Sequence, residues 1–76
     1  MAEFDQELDT SGLNCPMPVM KTKKTLKGLE SGQVLHVIAT DPGSAEDIPD
    51  LLETTGDSML ESSQDGGSYH FYIKKG

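Results

Sequence analysis

Residues 33–40, QVLHVIAT, constrain the fold more than any other stretch of the chain. They alternate with the period of two of a strand. Leu35, Val37 and Ala39 point one way; Val34, His36 and Ile38 point the other. Both sets are fairly apolar, and a strand with two apolar faces belongs in the middle of a sheet. The rest of the chain must supply flanking strands and a covering layer.

Three segments suit the flanks. Residues 4–10 (FDQELDT) alternate Phe4, Gln6 and Leu8 against Asp5, Glu7 and Asp9, a short strand pattern. Residues 58–64 and 68–75 read as two strands about Asp65-Gly66-Gly67, a strong hairpin signal. In the last strand Tyr69, Phe71 and Ile73 share one face, and His70, Tyr72 and Lys74 the other.

Two helices suit the cover. Proline is favoured at the first helical position, where its missing N–H has no intrahelical partner to lose. A helix is therefore predicted to start at Pro16, with Pro18 still in its first turn and Cys15 at or beside the N-cap. Val19, Thr22, Leu26 and Leu29 form its buried stripe, and Gly28 and Gly32 bracket its exit. Asp41-Pro42-Gly43-Ser44 then breaks the central strand. Ser44 and Asp47 resemble a capping box with Asp in place of Glu. Ile48, Leu51, Leu52 and Thr55 give a second stripe, and Gly56 is its C-terminal stop. Pro49 fits the first turn of a helix starting near Asp47. The order predicts an α/β (α+β) fold: a two-layer β-α-β-α-β-β sandwich, with two helices on one face of a four-stranded mixed sheet.

Size and charge narrow the function. The 76 residues make one domain, 1–76, and Leu, Ile, Val and Phe supply only 16 of them, so the core is thin. No cofactor domain or large substrate cavity fits, and no cofactor is expected. Thirteen acidic residues face six lysines, with no arginine, for a net charge of −7. That balance opposes phosphate backbones and anionic lipid surfaces, so no direct nucleic acid and no membrane partner is expected. An acidic surface suits basic patches on other proteins. The longest apolar-rich run, residues 34–39, is far short of a membrane span. The first five residues lack the basic start and apolar stretch of a signal peptide. A single cysteine closes no internal disulfide. A cytoplasmic monomer is the expectation.

Cys15 is the one nucleophile with a local design around it. A thiol at a helix N-terminus meets unpaired N–H groups and the positive end of the macrodipole, which favour thiolate. At the reference pKa of about 8.5, roughly 3% is thiolate at pH 7. A dipole contribution of roughly 0.3–1 kcal/mol moves that by only about 0.2–0.7 units. Lys21 and Lys24, one to two turns on, add to it. The prolines stiffen the turn and leave the thiol at its tip, and Met17 offers a flexible apolar side chain for transient docking. The bland alternative is a small buried hydrophobe, the usual fate of a free cysteine. With no second cysteine, dithiol redox within one chain is excluded. His36 and His70 sit on strands, in no spacing that predicts contact with Cys15, and read as ordinary strand histidines. Two histidines and one cysteine fall short of a zinc pattern, so no metal is expected. Glu46, Asp47, Asp50, Glu53 and Asp57 read as a solvated helix face.

The run Leu8-Asp9-x-x-Gly12-Leu13-x-Cys15-Pro16-x-Pro18 is similar to the signature of the TusA/SirA-like sulfur carrier proteins. The C-P-x-P element after Gly-Leu is its specific part. Asp41-Pro42, Asp47-Ile48-Pro49 and the C-terminal hairpin fall where that family has them, so the resemblance covers about residues 4–75. It implies the same sandwich fold and a persulfide carried on Cys15. It implies a protein sulfur donor, either a cysteine desulfurase or a rhodanese, and a protein sulfur acceptor. The destinations it implies are tRNA thiolation, molybdenum cofactor synthesis or cytoplasmic sulfur oxidation. It makes Asp41 a secondary site residue beside the cysteine loop, while Met17 fills a position that varies between members. Pro16, Met17, Pro18, Lys21 and Lys24 are the candidate binding residues. Two other functions compete. One is a non-catalytic adaptor acting through its acidic surface. The other is an isolated thiol reductant or peroxide sensor that forms sulfenic acid at Cys15.

Overall fold

A computed structural model of the chain describes residues 4–14 and 16–76. The elements run β1 (Gln6–Thr10), α1 (Met17–Lys27), β2 (Val34–Ala39), α2 (Ser44–Thr55), β3 (Ser58–Asp65) and β4 (Ser68–Lys74). The strands form one sheet in the order β1-β2-β4-β3. β1 runs parallel to β2, and the other pairs are antiparallel. The mixed sheet and the predicted element order are both present, and β2 lies inside the sheet as its two apolar faces require.

The helices share one face. Leu35, Val37 and Ala39 of β2 and Phe71 and Ile73 of β4 form a single cluster with Leu26 of α1 and Ile48 and Leu52 of α2. Val19 and Leu29 pack against its edge. Thr22 completes the α1 stripe although it is polar. Its hydroxyl donates to the Pro18 carbonyl at 2.7 Å, so the buried oxygen is satisfied inside its own helix.

Four local expectations are corrected. First, α1 starts at Met17, one residue later than predicted. The Pro16 carbonyl accepts the Met20 N–H at 3.0 Å, which makes Pro16 the N-cap. Second, α2 starts at Ser44 rather than near Asp47, with Gly43 as N-cap, and Ser44 makes no capping hydrogen bond. The amides of Ser44, Ala45 and Glu46 donate to the carbonyls of Asp41, Pro42 and Gly43. These are three-residue steps, the tighter winding common at helix ends, and they carry the helix up to Pro49 in its interior. The Gly56 stop is as predicted, with φ of 82°.

Third, Phe4 precedes β1, and its ring lies against His36 and Tyr72, across the sheet from the helices. The chain bends at Asp5, whose amide donates to the Val34 carbonyl and whose carboxylate accepts the Val34 N–H, each at 2.8 Å. That bend breaks the alternation. Fourth, Asp57 is buried, not solvated. It accepts from the Thr55 hydroxyl and the Gly76 amide, each at 2.7 Å, with Lys75 Nζ at 3.9 Å.

Candidate functional site

Parallel pairing of β1 with β2 determines where the chemistry gathers. Two parallel neighbours deliver their following loops to the same end of the sheet. The segment after β1 leads into α1, and the segment after β2 leads into α2, so both helices begin at that end. The Gly12 amide donates to Thr40 Oγ1 at 2.8 Å and ties the two loops together. Before it, the Ser11 amide donates to Asp9 Oδ1 at 2.9 Å and the Leu13 amide to the Thr10 carbonyl at 3.1 Å. The Ser11 hydroxyl, then its amide, hold the exposed Asp9 carboxyl below its ordinary 3.8. A strand end, an Asx turn and a cross-loop bond thus fix the approach to α1.

Cys15 lies outside the described residues. Its neighbours are described, and they divide into two kinds. Pro16 and Met17 are exposed, with Met17 42% accessible. Pro18 is fully buried. Pro18, one of the expected binding residues, is thus buried in the first turn of α1 and offers little surface to a partner. Lys21 and Lys24 are exposed, as a binding role requires. With Met17, Met20, Lys23 and Lys27 they line a shallow groove along α1. Asp41 is half-buried on the loop that Thr40 ties to Gly12, and its carbonyl accepts the Ser44 amide.

The electrostatics differ from the sequence-based expectation in two ways. The first turn of α1 is poor in free donors. Pro16 and Pro18 have no amide hydrogen, and Met17 gives its own to the Asn14 carbonyl at 2.9 Å. The dipole remains, but the cradle of N–H groups is thin. The second difference concerns the lysines. At 1.5 Å of rise per residue, Lys24 lies about 12 Å along the axis from Pro16. That exceeds the screening length of roughly 8 Å at physiological salt. Lys24 and Lys27 occupy the last turn of α1, where they complement its negative end.

The lysines instead set the sign of a surface. Four of the six lie on α1, while α2 carries Glu46, Asp47, Asp50 and Glu53. A net charge of −7 hides a basic face beside the C-P-x-P segment. A partner docking there meets lysines and two exposed methionines, not the acidic surface that composition suggested.

Sequence reasoning missed one constellation, on the sheet face away from the helices. His36 Nε2 lies 3.0 Å from His70 Nδ1. The His36 ring stacks on Tyr72 with centroids 4.4 Å apart and planes 1° from parallel. Alternation already put all three side chains on that face; the strand register that joins them is not written in the sequence.

Comparison with known proteins follows the same lines. The family described as sulfurtransferase TusA matches residues 6–75, from the start of β1 to the end of the hairpin. The chain belongs to that family. The sulfur carrier protein TusA of Allochromatium vinosum is 60% identical over 75 residues, covering 99% of both chains. A putative sulfur carrier protein of Bacillus subtilis is 44% identical over 72 residues, covering 95% of this chain and 96% of its own. Among solved structures, the SirA-like protein of Desulfitobacterium hafniense superposes with a TM-score of 0.83 at 30% identity, over 95% of this chain and 99% of its own. Family membership thus rests on sequence and fold together. No helix among the described residues is long and apolar enough to cross a membrane.

Proposed function

We propose that this protein carries sulfane sulfur as a persulfide on Cys15, taking it from one protein and handing it to another. The observation that carries the reading is the lone cysteine in a C-P-x-P segment of a chain that matches the TusA family from residue 6 to 75. The Cys15 thiolate attacks the outer sulfur of a donor persulfide. The donor's S–S bond breaks, its thiolate leaves, and a Cys15 persulfide forms. A persulfide is more acidic than a thiol, so it is held as an anion near the positive end of α1. An acceptor thiolate then attacks the outer sulfur, and the Cys15 thiolate is the leaving group. One cysteine suffices, because every other thiol belongs to a partner. A reducing compartment, the cytoplasm, suits this exchange.

Docking uses the α1 surface. Met17 and Met20, 42% and 57% exposed, supply adaptable apolar contact, and Lys21, Lys23, Lys24 and Lys27 supply the charge. The donor is a cysteine desulfurase or a rhodanese, and both it and the acceptor thiol protein present acidic residues around the reacting sulfur. Asp41, on the adjoining loop, is a secondary site residue facing the same exchange.

The test is a reconstituted relay with a labelled sulfur source, a desulfurase or rhodanese, this protein and an acceptor thiol protein. Label should reach the acceptor only through the wild-type chain, and both Cys15→Ser and prior alkylation should stop it. Transfer that persists in Cys15→Ser would leave the adaptor function as the better account.

A further inference from the structure

We propose that His36 and His70 form a chelating site for a divalent late first-row metal ion, Cu²⁺ foremost, on the sheet face opposite the helices. The site is independent of the sulfur chemistry at Cys15. Metal–imidazole bonds are about 2.0–2.1 Å long, so two nitrogens on one ion stand about 2.9 Å apart at a right angle and about 3.3 Å apart at a tetrahedral one. His36 Nε2 and His70 Nδ1 are 3.0 Å apart. Without metal, one of those nitrogens carries a hydrogen and the other accepts it. With metal, each ring keeps its hydrogen on the outer nitrogen and presents a lone pair inward.

The surroundings favour that tautomer. A carboxylate oxygen of Glu7 lies 3.5 Å from His36 Nδ1, which is buried and has no hydrogen-bond partner. Glu7 makes no hydrogen bond to that nitrogen as it stands, but a small movement of its exposed side chain would let it accept the Nδ1 hydrogen, the arrangement that fixes a ligating imidazole with its other nitrogen free for metal. His36 is only 7% exposed; its ring stacks on Tyr72 at 4.4 Å, and the tilted Phe4 ring lies beside it at 5.0 Å. The His36 ring is therefore in place before the metal arrives; what binding costs is the His36–His70 hydrogen bond and a turn of His70. His70, half-buried, borders a shallow depression that Glu61 and Asp65 also line. The two imidazole planes are 19° apart with centroids at 5.2 Å, so His70 must turn within that depression to bring its lone pair onto the ion. Among the described residues no group of three or more His, Cys, Asp or Glu is placed to hold a metal, so water completes the coordination. Two imidazoles and water favour Cu²⁺ over Ni²⁺ and Zn²⁺ by the usual affinity order, and exclude Mg²⁺ and Ca²⁺, which need oxygen ligands.

The experiment uses the full-length Cys15→Ser chain, tag-free, so that no thiol competes for metal. Cu²⁺ is titrated by calorimetry, and its paramagnetic broadening is mapped by NMR. One saturable equivalent is expected, with broadening centred on His36, His70, Glu7 and Tyr72. His70→Gln, at a half-buried position, should weaken binding at least tenfold, and Glu7→Gln about tenfold. Mg²⁺ should leave the spectrum unchanged. Absence of saturable binding up to about 0.1 mM Cu²⁺ would overturn the site. So would broadening centred on the N-terminal amine, or equal affinity in His70→Gln.

Discussion

Replacing Asp57 should destabilise this protein far more than replacing an exposed acidic residue such as Glu53. The carboxylate side chain is fully buried and accepts two hydrogen bonds of 2.7 Å, from the Thr55 hydroxyl and the Gly76 amide. A hydrogen bond to a charged group contributes about 1.5–3 kcal/mol, so Asp57→Ala removes about 3–6 kcal/mol before relaxation. Gly76 is exposed and Thr55 half-exposed, so both donors regain water, and a net loss of about 2–3 kcal/mol is expected. A domain of 76 residues has roughly 4–11 kcal/mol in total. At about 4–8 °C per kcal/mol, the melting temperature should fall by about 8–24 °C. Asp57→Asn keeps one acceptor but turns its amide toward a donor, and should lose about half as much. Lys75→Met removes only the part-exposed ion pair, at 3.9 Å, and should lose less than about 1 kcal/mol. Thermal unfolding of the three variants tests this ordering. A fall of under about 4 °C for Asp57→Ala, or a larger loss for Lys75→Met, would refute the argument.

Other consequences follow from the same geometry. Lys21→Glu with Lys24→Glu should slow sulfur uptake from the donor by roughly tenfold at low salt, with the difference shrinking as salt rises; stopped reactions at several ionic strengths measure it. Gly56→Ala meets no atom within 4 Å but must adopt φ of 82°, so chemical denaturation should show a loss of about 1–2 kcal/mol from backbone strain alone. Asp9 ionises more readily in the folded chain than in the unfolded one, so its contribution is present above pH 3.8 and is lost as pH falls through its lower folded value. Ser11→Ala removes the larger cause, and the Asp9 carboxyl resonance should then titrate closer to 3.8.

Much of the fold was legible because alternation and helical spacing report burial directly. The two faces of β2, the inner face of β4 and the stripes of both helices could be read from side-chain type alone. The failures share a cause: each depended on a partner distant in sequence. Asp57 looks like one more helix-face carboxylate until the chain returns beside it at Lys75 and Gly76. Phe4 obeys the alternation of β1 by sequence and leaves it because Asp5 is pinned to Val34. The pairing of His36 with His70 needed the β2–β4 register. Pro49 suggested a late start for α2, since the tight first turn at Asp41–Glu46 has no pattern of its own. In the candidate site, C-P-x-P could be recognised at once. The burial of Pro18 and the basic sign of the adjoining surface could not, because net charge averages over a molecule with four of its six lysines on one helix.

The most direct test of the carrier mechanism is the intact mass of the protein after incubation with a desulfurase or rhodanese and its sulfur source, then again after reductant. Wild type and Cys15→Ser are run side by side. The account predicts that wild type alone gains the mass of one or more sulfur atoms and loses it on reduction. An unchanged mass with several competent donors, while Cys15 remains free and alkylatable, would contradict it.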